Sequence, residues 1–435
     1  MKKMLALVLA LALAFTMFAC AGTPSAGDTS NTPAPSAPAD NTSGDGGDGG
    51  PDPADISGDL LFWMGSTPLA PAIIEGFTAK YPNVNVSYEE VGLDAPEKLS
   101  LDGPAGIGPD VLAVGDTTVS AAVADGLLEP FSAGLQAKIE DAILESALST
   151  TIVGGKFYGV PYSMEPVVFF YNKDLVDGPP ASFEEIIAFA ETYNDPSTGK
   201  YAMRWSTDGY HNHHFLTAFG WRIMGPNWDD WKNPGFDSPE AAKGLAFYKS
   251  MRAVFDVNVA EADYDFTIGA FVRGETPYMI SGPWAVNGCR EAGMNFGTSK
   301  MPTVNGAQPR TLTANQVVVV SSFSKNFDAA FAFAEYIASV EVANMTYSIY
   351  GAAPALKDTS GVEGLAEDDV IRGMAEQAAY TDHVPTITEV QYIWQAWAEM
   401  FAFVWDDLMS VEDSQQRAME TYENALNIGG LSMYD

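Results

Sequence analysis

The chain has 435 residues, 47% of them hydrophobic, which at about 150 residues per domain leaves room for two or three globular units. Fifty-seven acidic against 22 basic residues give a formal net charge of −35. That excess excludes a nucleic-acid partner and docking by charge onto anionic lipid, since both depend on Lys and Arg displacing counterions. With two cysteines, Cys20 and Cys289, and four histidines, a disulfide framework and a cysteine zinc cluster are excluded as well.

At the amino terminus Lys2 and Lys3 precede an apolar run from Met4 to Ala19. The run is shorter than the ~20 residues a membrane-spanning helix needs, and its basic head and small residues read as a secretory signal over 1–19. Met17-Phe18-Ala19-Cys20 resembles a bacterial lipobox, which implies cleavage before Cys20 and lipidation of that cysteine. An ordinary cleaved signal with an incidental cysteine is the alternative. The segment from Ala21 to about residue 55 is nearly all Gly, Pro, Ser, Thr, Ala, Asn and Asp. It has too little apolar surface to offset chain entropy and reads as a flexible tether. Anchor and tether together place the body on the extracellular face of a cell membrane.

Beyond residue 55 strand and helix signals alternate. Asp59–Met64 is a short apolar strand, Pro68–Tyr81 spaces Ile73, Ile74 and Phe77 on one helix face, and Val84–Tyr88 alternates as a strand. Val111–Val114 reads as a buried strand, and Thr117 or Thr118 caps a helix that stops at Gly126. This rhythm predicts an α/β fold with a mostly parallel sheet, whose ligands sit at the carboxyl ends of the strands. Gly65-Ser66 and Gly115-Asp116 occupy such ends. Further on, Val167–Tyr171 is a strand, Ser182–Tyr193 a helix and Asn194–Gly199 a turn; Val317–Ser321 is a strand, with helices over 327–340 and 341–350 and a final aromatic helix over about 390–409.

Seven segments then fall into a familiar order: Gly108-Pro-Asp110, Ala124–Pro130, Gly159–Glu165, Tyr171–Leu175, Phe271–Glu275, Ser281-Gly-Pro-Trp284 and Tyr350–Pro354. Together they resemble the extracellular solute-binding proteins of sugar ABC transporters, and most of all the maltose and maltodextrin branch. The resemblance spans about 57–435. It implies a two-lobed periplasmic-binding-protein fold with a hinge and an interlobe cleft. One lobe would comprise 57–163 plus 312–358, the other 166–310 plus 364–435. It further implies a monomer that captures an oligosaccharide and hands it to the permease subunits of an ABC transporter, on a Gram-positive-type cell. It implies no cofactor and no metal.

Sugars offer apolar C–H faces to aromatic rings and a rim of hydroxyls to carboxylates and amides. Glu165 falls at the family's acidic position beside the hinge, and Trp284 and Trp394 fall at its stacking positions. Tyr210 resembles a stacking tyrosine, and Asp208 stands where the family often has Glu. Asp116 and Thr117, after the Val111–Val114 strand, and Ser66, after the first strand, complete the candidate set. Trp397 shares a face with Trp394, so one of the two belongs to the core. Ala398 replaces an arginine of the maltodextrin receptors, which leaves the exact sugar open. Asp110 reads as structural, and Cys289 as a buried small hydrophobe.

His211-Asn-His-His214 lacks metal-ligand spacing and reads as polar loop histidines beside the cleft. A glycoside hydrolase would need a carboxyl pair about 5–9 Å apart, for which Asp116, Glu165 and Asp208 are the available acids. A receptor of the same fold for a polyamine is the remaining alternative, since a phosphate ester would want Arg, Lys or a Gly-rich helix start.

Overall fold

The computed structural model describes residues 52–434, apart from Ser66 and Leu93. The segment expected to be a signal peptide, Cys20, most of the expected tether and Ser66 therefore lie outside the described residues. Thirteen strands organise the rest: β1 Gly58–Met64, β2 Val84–Glu90, β3 Val111–Gly115, β4 Ile152–Val153, β5 Lys156–Phe157, β6 Gly159–Pro166, β7 Val168–Asn172, β8 Met203–Arg204, β9 Tyr278–Ser281, β10 Phe296–Ser299, β11 Thr311–Val320, β12 Ala353–Pro354 and β13 Thr381–His383.

A large sheet runs in the order β12-β6-β11-β3-β1-β2, with β13 paired to the start of β11. A small sheet runs β10-β7-β9-β8, and β4 with β5 forms a separate hairpin. The expectation of a mostly parallel large sheet needs correction. β1 pairs β2 and β3 in parallel, but β11 is antiparallel to both β3 and β6, and β6 to β12. The physical reason is the chain path: it leaves the large sheet after Pro166, builds the small sheet, and re-enters through β11 from the opposite direction.

Period-two alternation explains how each strand feeds two cores. In β11, Val318 and Val320 enter one apolar cluster with Phe62, Phe77 and Phe333, while Val317 and Val319 enter another with Trp63 and Leu112 on the other face. In β7, Phe169 joins the cluster of Trp205, Trp221, Trp397 and Trp405, while Val168 and Phe170 pack with Phe271 and Cys289. Burial pushes the Cys289 thiol up to about 12, which agrees with an inert packing role.

Helices cover both sheets, and several start on side-chain caps. Ser182 accepts from the Glu185 amide at the head of Phe183–Tyr193, and Ser410 from Asp413 at the head of Val411–Ile428. The second of these follows the aromatic helix Ile393–Trp405, expected from the sequence to be the last; its mostly polar, amphipathic residues carry a weaker helix signal. The aromatic helix is preceded by a 3₁₀ turn, Thr388–Tyr392, so Tyr392 stands at its cap rather than on it. The Phe327–Ile337 helix ends sooner than expected, and the next segment divides into an α-helix, Val340–Met345, and a π-helical turn, Thr346–Tyr350. Thr118 occupies the cap position of the Val119–Ala124 helix without capping it. Its backbone is already helical, and its hydroxyl donates instead to the Gly115 carbonyl at 2.9 Å.

Candidate ligand-binding cleft

The crossing strands β6 and β11 carry the polar residues that set the site. Their pairing is interrupted between Gln316 and Val317, a bulge of the kind that re-aims side chains near binding sites. On β6, Glu165 is buried and accepts three hydrogen bonds: from Tyr350 OH at 2.7 Å, Ser163 Oγ at 3.2 Å and Gln316 Nε2 at 3.3 Å. Burial still raises its carboxyl above the ordinary range, because these neutral donors only partly replace water. Asp116 begins the 3₁₀ turn after β3 and accepts from Asn315 Nδ2 at 2.7 Å. Its carboxyl is pushed up to about 6, chiefly by burial, with the nearby Glu165 adding to the rise. No cation contributes to either carboxyl. The candidate site thus gathers two buried acids held by amides and hydroxyls.

Tyr350, Asn315 and Gln316 are not among the residues expected from the sequence. The signal was present in β11, where Asn-Gln interrupts an otherwise buried apolar strand. Tyr350 ends the π-helical turn, and Gly351 follows at φ 80°, a left-handed conformation that favours glycine. A side chain at 351 would also meet Val286 at 2.8 Å. Turn and glycine together aim the Tyr350 hydroxyl at Glu165.

From the small-sheet side come the aromatics. Ser281-Gly-Pro-Trp284 leaves β9, and the Trp284 indole lies so close over Gly282 that a Cβ there would sit 2.2 Å from the ring. Trp284 is only half-buried, with Tyr210 beside it at 6.4 Å between ring centroids. Burial raises the Tyr210 hydroxyl well above its ordinary range, and Glu165, Asp116 and Asp208 push the same way. Glu165, Asp116, Tyr210 and Trp284 are therefore one neighbourhood, built from both sheets.

Asp208 has a local task. It caps the helix Gly209–Thr217, with Oδ1 accepting from the His211 amide at 2.8 Å and Oδ2 lying 2.8 Å from His211 Nδ1. Burial alone would raise its carboxyl, but the His211 partner more than cancels this and leaves it below the usual range. The same helix corrects the reading of 211–214 as a loop. His213 and His214 are fully buried in it, and no metal-ligand cluster occurs among the described residues.

Trp397 is core, buried among Trp221 and His213, whereas Trp394 is half-buried and stacks on it at 5.9 Å. Thr117 is half-buried with the Asp116 turn. Asp110 is structural: it accepts from the Leu61 amide at 2.9 Å and from Ser324 Oγ at 2.6 Å. Two surface hollows, one beside Lys249 and Arg417 and one beside Val176 and Phe189, contain none of the candidate residues.

The sequence model of the bacterial extracellular solute-binding protein family matches residues 72–370. The chain belongs to that family. It is a solute-binding transport protein and not an enzyme. This solute-binding protein is 26% identical over 348 residues to a maltotriose-binding protein of Pyrococcus abyssi, covering 78% of this chain and 75% of that one. It is 29% identical over 309 residues to a galactooligosaccharide-binding protein of Bacillus subtilis, covering 68% and 72%. Among solved structures, a cyclo/maltodextrin-binding protein complexed with maltotetraose superposes with a TM-score of 0.74 at 25% identity, over 87% of this chain and 98% of the other. The α/β architecture with its two sheets is that of the two-lobed periplasmic-binding proteins.

Proposed function

We propose that the protein captures a neutral oligosaccharide of the maltodextrin type and delivers it to the permease subunits of an ABC transporter. The observation that carries this reading is the pairing of two buried carboxylates, Glu165 and Asp116, with the half-open ring of Trp284 and no cationic partner. Hydroxyls are the natural donors to such acceptors, and the flat C–H faces of a pyranose suit the indole. The names of the Pyrococcus and Bacillus relatives support the sugar class.

In this reading Glu165 and Asp116 accept from hydroxyls, Trp284 and Trp394 stack, Tyr210 and Thr117 line the cleft, and Ser66 is a further ligand contact. The lobes are 57–163 plus 312–358 and 166–310 plus 364–435, hinged where β6 and β11 pass between the sheets. The protein acts as a monomer. Cys20 carries a diacylglycerol anchor, and residues to about 55 tether the body on the extracellular face of the cell membrane.

A thermal-shift panel of maltose, maltotriose, maltotetraose, a galacto-oligosaccharide and spermidine tests the proposal. Binding to the folded state alone stabilises by about 2.7 kcal/mol at a hundredfold excess over Kd. A rise in melting temperature with a sugar is expected. A rise with spermidine alone would transfer the two carboxylates to a polyamine and overturn the sugar reading.

A further inference from the structure

We propose that His211 is a ligand contact of the cleft, its Nε2 hydrogen-bonded to a sugar hydroxyl seated beside Trp284. The inference rests on the sugar reading above and adds a residue that the motif resemblance does not supply. His211 follows Tyr210 on the Gly209–Thr217 helix, and its ring packs edge-on against both aromatics of the neighbourhood: Trp284 at 5.9 Å and 85°, Tyr210 at 5.8 Å and 76°. The ring cannot turn freely. Nδ1 lies 2.8 Å from Asp208 Oδ2, while Asp208 Oδ1 is held by the His211 amide. An ionised carboxylate only accepts, so Nδ1 carries a proton and donates it, and the remaining nitrogen is left to the surroundings.

That nitrogen has nothing to bond. The His211 side chain keeps 12% of its surface open, and Nε2 itself is buried with no partner in the protein. Buried polar atoms are nearly always satisfied, so an orphan fixed beside a stacking tryptophan marks the place of an absent donor or acceptor. A sugar hydroxyl both donates and accepts and satisfies Nε2 whether or not it carries a proton.

The two other histidines of the helix serve as internal controls. His213 Nε2 is paired with Asp382 at 3.1 Å; its Nδ1 is unpartnered, but the ring is fully buried against the core tryptophans Trp221 and Trp397. His214 also has an unpartnered Nε2, but its ring stacks on Phe183 at 5.4 Å and lies against Phe215 in the apolar core. Burial there lowers its pKa to about 3, which leaves it a neutral packing residue. Of the three, His211 alone touches residues of the cleft.

Two measurements on the full mature chain decide the matter. Calorimetry with maltotriose compares the wild type with His211→Phe, which retains an edge-on ring against Trp284 and removes Nε2. In parallel, the ring-nitrogen resonances of ¹⁵N-histidine-labelled wild type are followed through a maltotriose titration. Loss of one ligand hydrogen bond weakens binding about tenfold. The expected result is that loss in the variant, together with a saturable shift of the His211 Nε2 resonance. Should the variant fail to fold, the wild-type resonance decides by itself. Wild-type binding with an unmoved Nε2 resonance and an unaffected variant would overturn the role of His211 and leave the sugar reading intact. Absence of wild-type binding to any sugar would overturn both.

Discussion

The tryptophans differ in burial, and burial separates recognition from packing. Trp284 is half-buried over Gly282, so Trp284→Ala should weaken sugar binding by about 2 kcal/mol, roughly thirtyfold, with little change in melting temperature. Trp397 is fully buried, and Trp397→Ala should instead remove about 3–5 kcal/mol of stability. Calorimetry and thermal melts of both variants check the contrast, which a melting collapse in Trp284→Ala would contradict. Asp116 gives a second test at this scale. Its folded pKa of about 6 lies above its ordinary 3.8, so the folded state holds a proton that the unfolded state releases. Stability from this group is full below about pH 4 and is lost as pH rises towards and through 6, by about 2–3 kcal/mol. Asp116→Asn should therefore raise the melting temperature of the empty protein at pH 7, flatten that pH dependence, and weaken sugar binding. Melts between pH 4 and 8 give the first two results and calorimetry the third.

At the scale of elements, a buried ion cluster ties the Gly209–Thr217 helix to the crossing strands. Asp382 on β13 is held by His213 at 3.1 Å and by Arg310 before β11. Burial pushes its carboxyl up, but the two partners outweigh this and bring it down to about 2. A depressed carboxyl contributes stability above its unfolded pKa, and that contribution is lost as pH falls from about 4 to 2. Asp382→Asn leaves Arg310 without its buried partner and should cost about 3–5 kcal/mol at pH 7. Urea unfolding at pH 7 and pH 3 checks both magnitude and sign. Gly351→Ala should strain the turn that aims Tyr350, at a cost of about 1–3 kcal/mol, and weaken binding through Glu165. Elements with strong periodicity, such as β1, β3 and the Phe183–Tyr193 helix, were legible from sequence. The Val411–Ile428 helix was not, because Ser414, Gln415 and Thr421 interrupt its buried face, where Tyr422 and Leu426 are the large side chains. The π turn that delivers Tyr350 was not legible either, since its residues also fit an ordinary helix.

For the whole molecule, the antiparallel returns of β6 and β11 depend on long-range chain path, which local pattern does not encode. The family was nonetheless legible in the ordered motifs, because each marks a place where the chain turns, crosses or aims a ring: Ser163–Glu165 on the crossing strand, Gly282–Trp284 against the backbone, Tyr350-Gly351 at the π turn. The site was less legible, since Asp116 and Glu165 are completed by amides on β11 and by a hydroxyl distant in sequence. A hinged two-lobed body should become more compact on binding, with a smaller radius of gyration by small-angle scattering when the sugar is present. Equal scattering with and without a ligand that binds would contradict closure. The most direct test of sugar capture is isothermal calorimetry of the protein with maltotriose and maltotetraose at pH 7. A one-to-one isotherm is expected, with Kd of order micromolar or tighter, about −8 kcal/mol or more favourable, weakened strongly in Trp284→Ala. No heat with any maltodextrin or galacto-oligosaccharide, or saturable binding of spermidine alone, would contradict it.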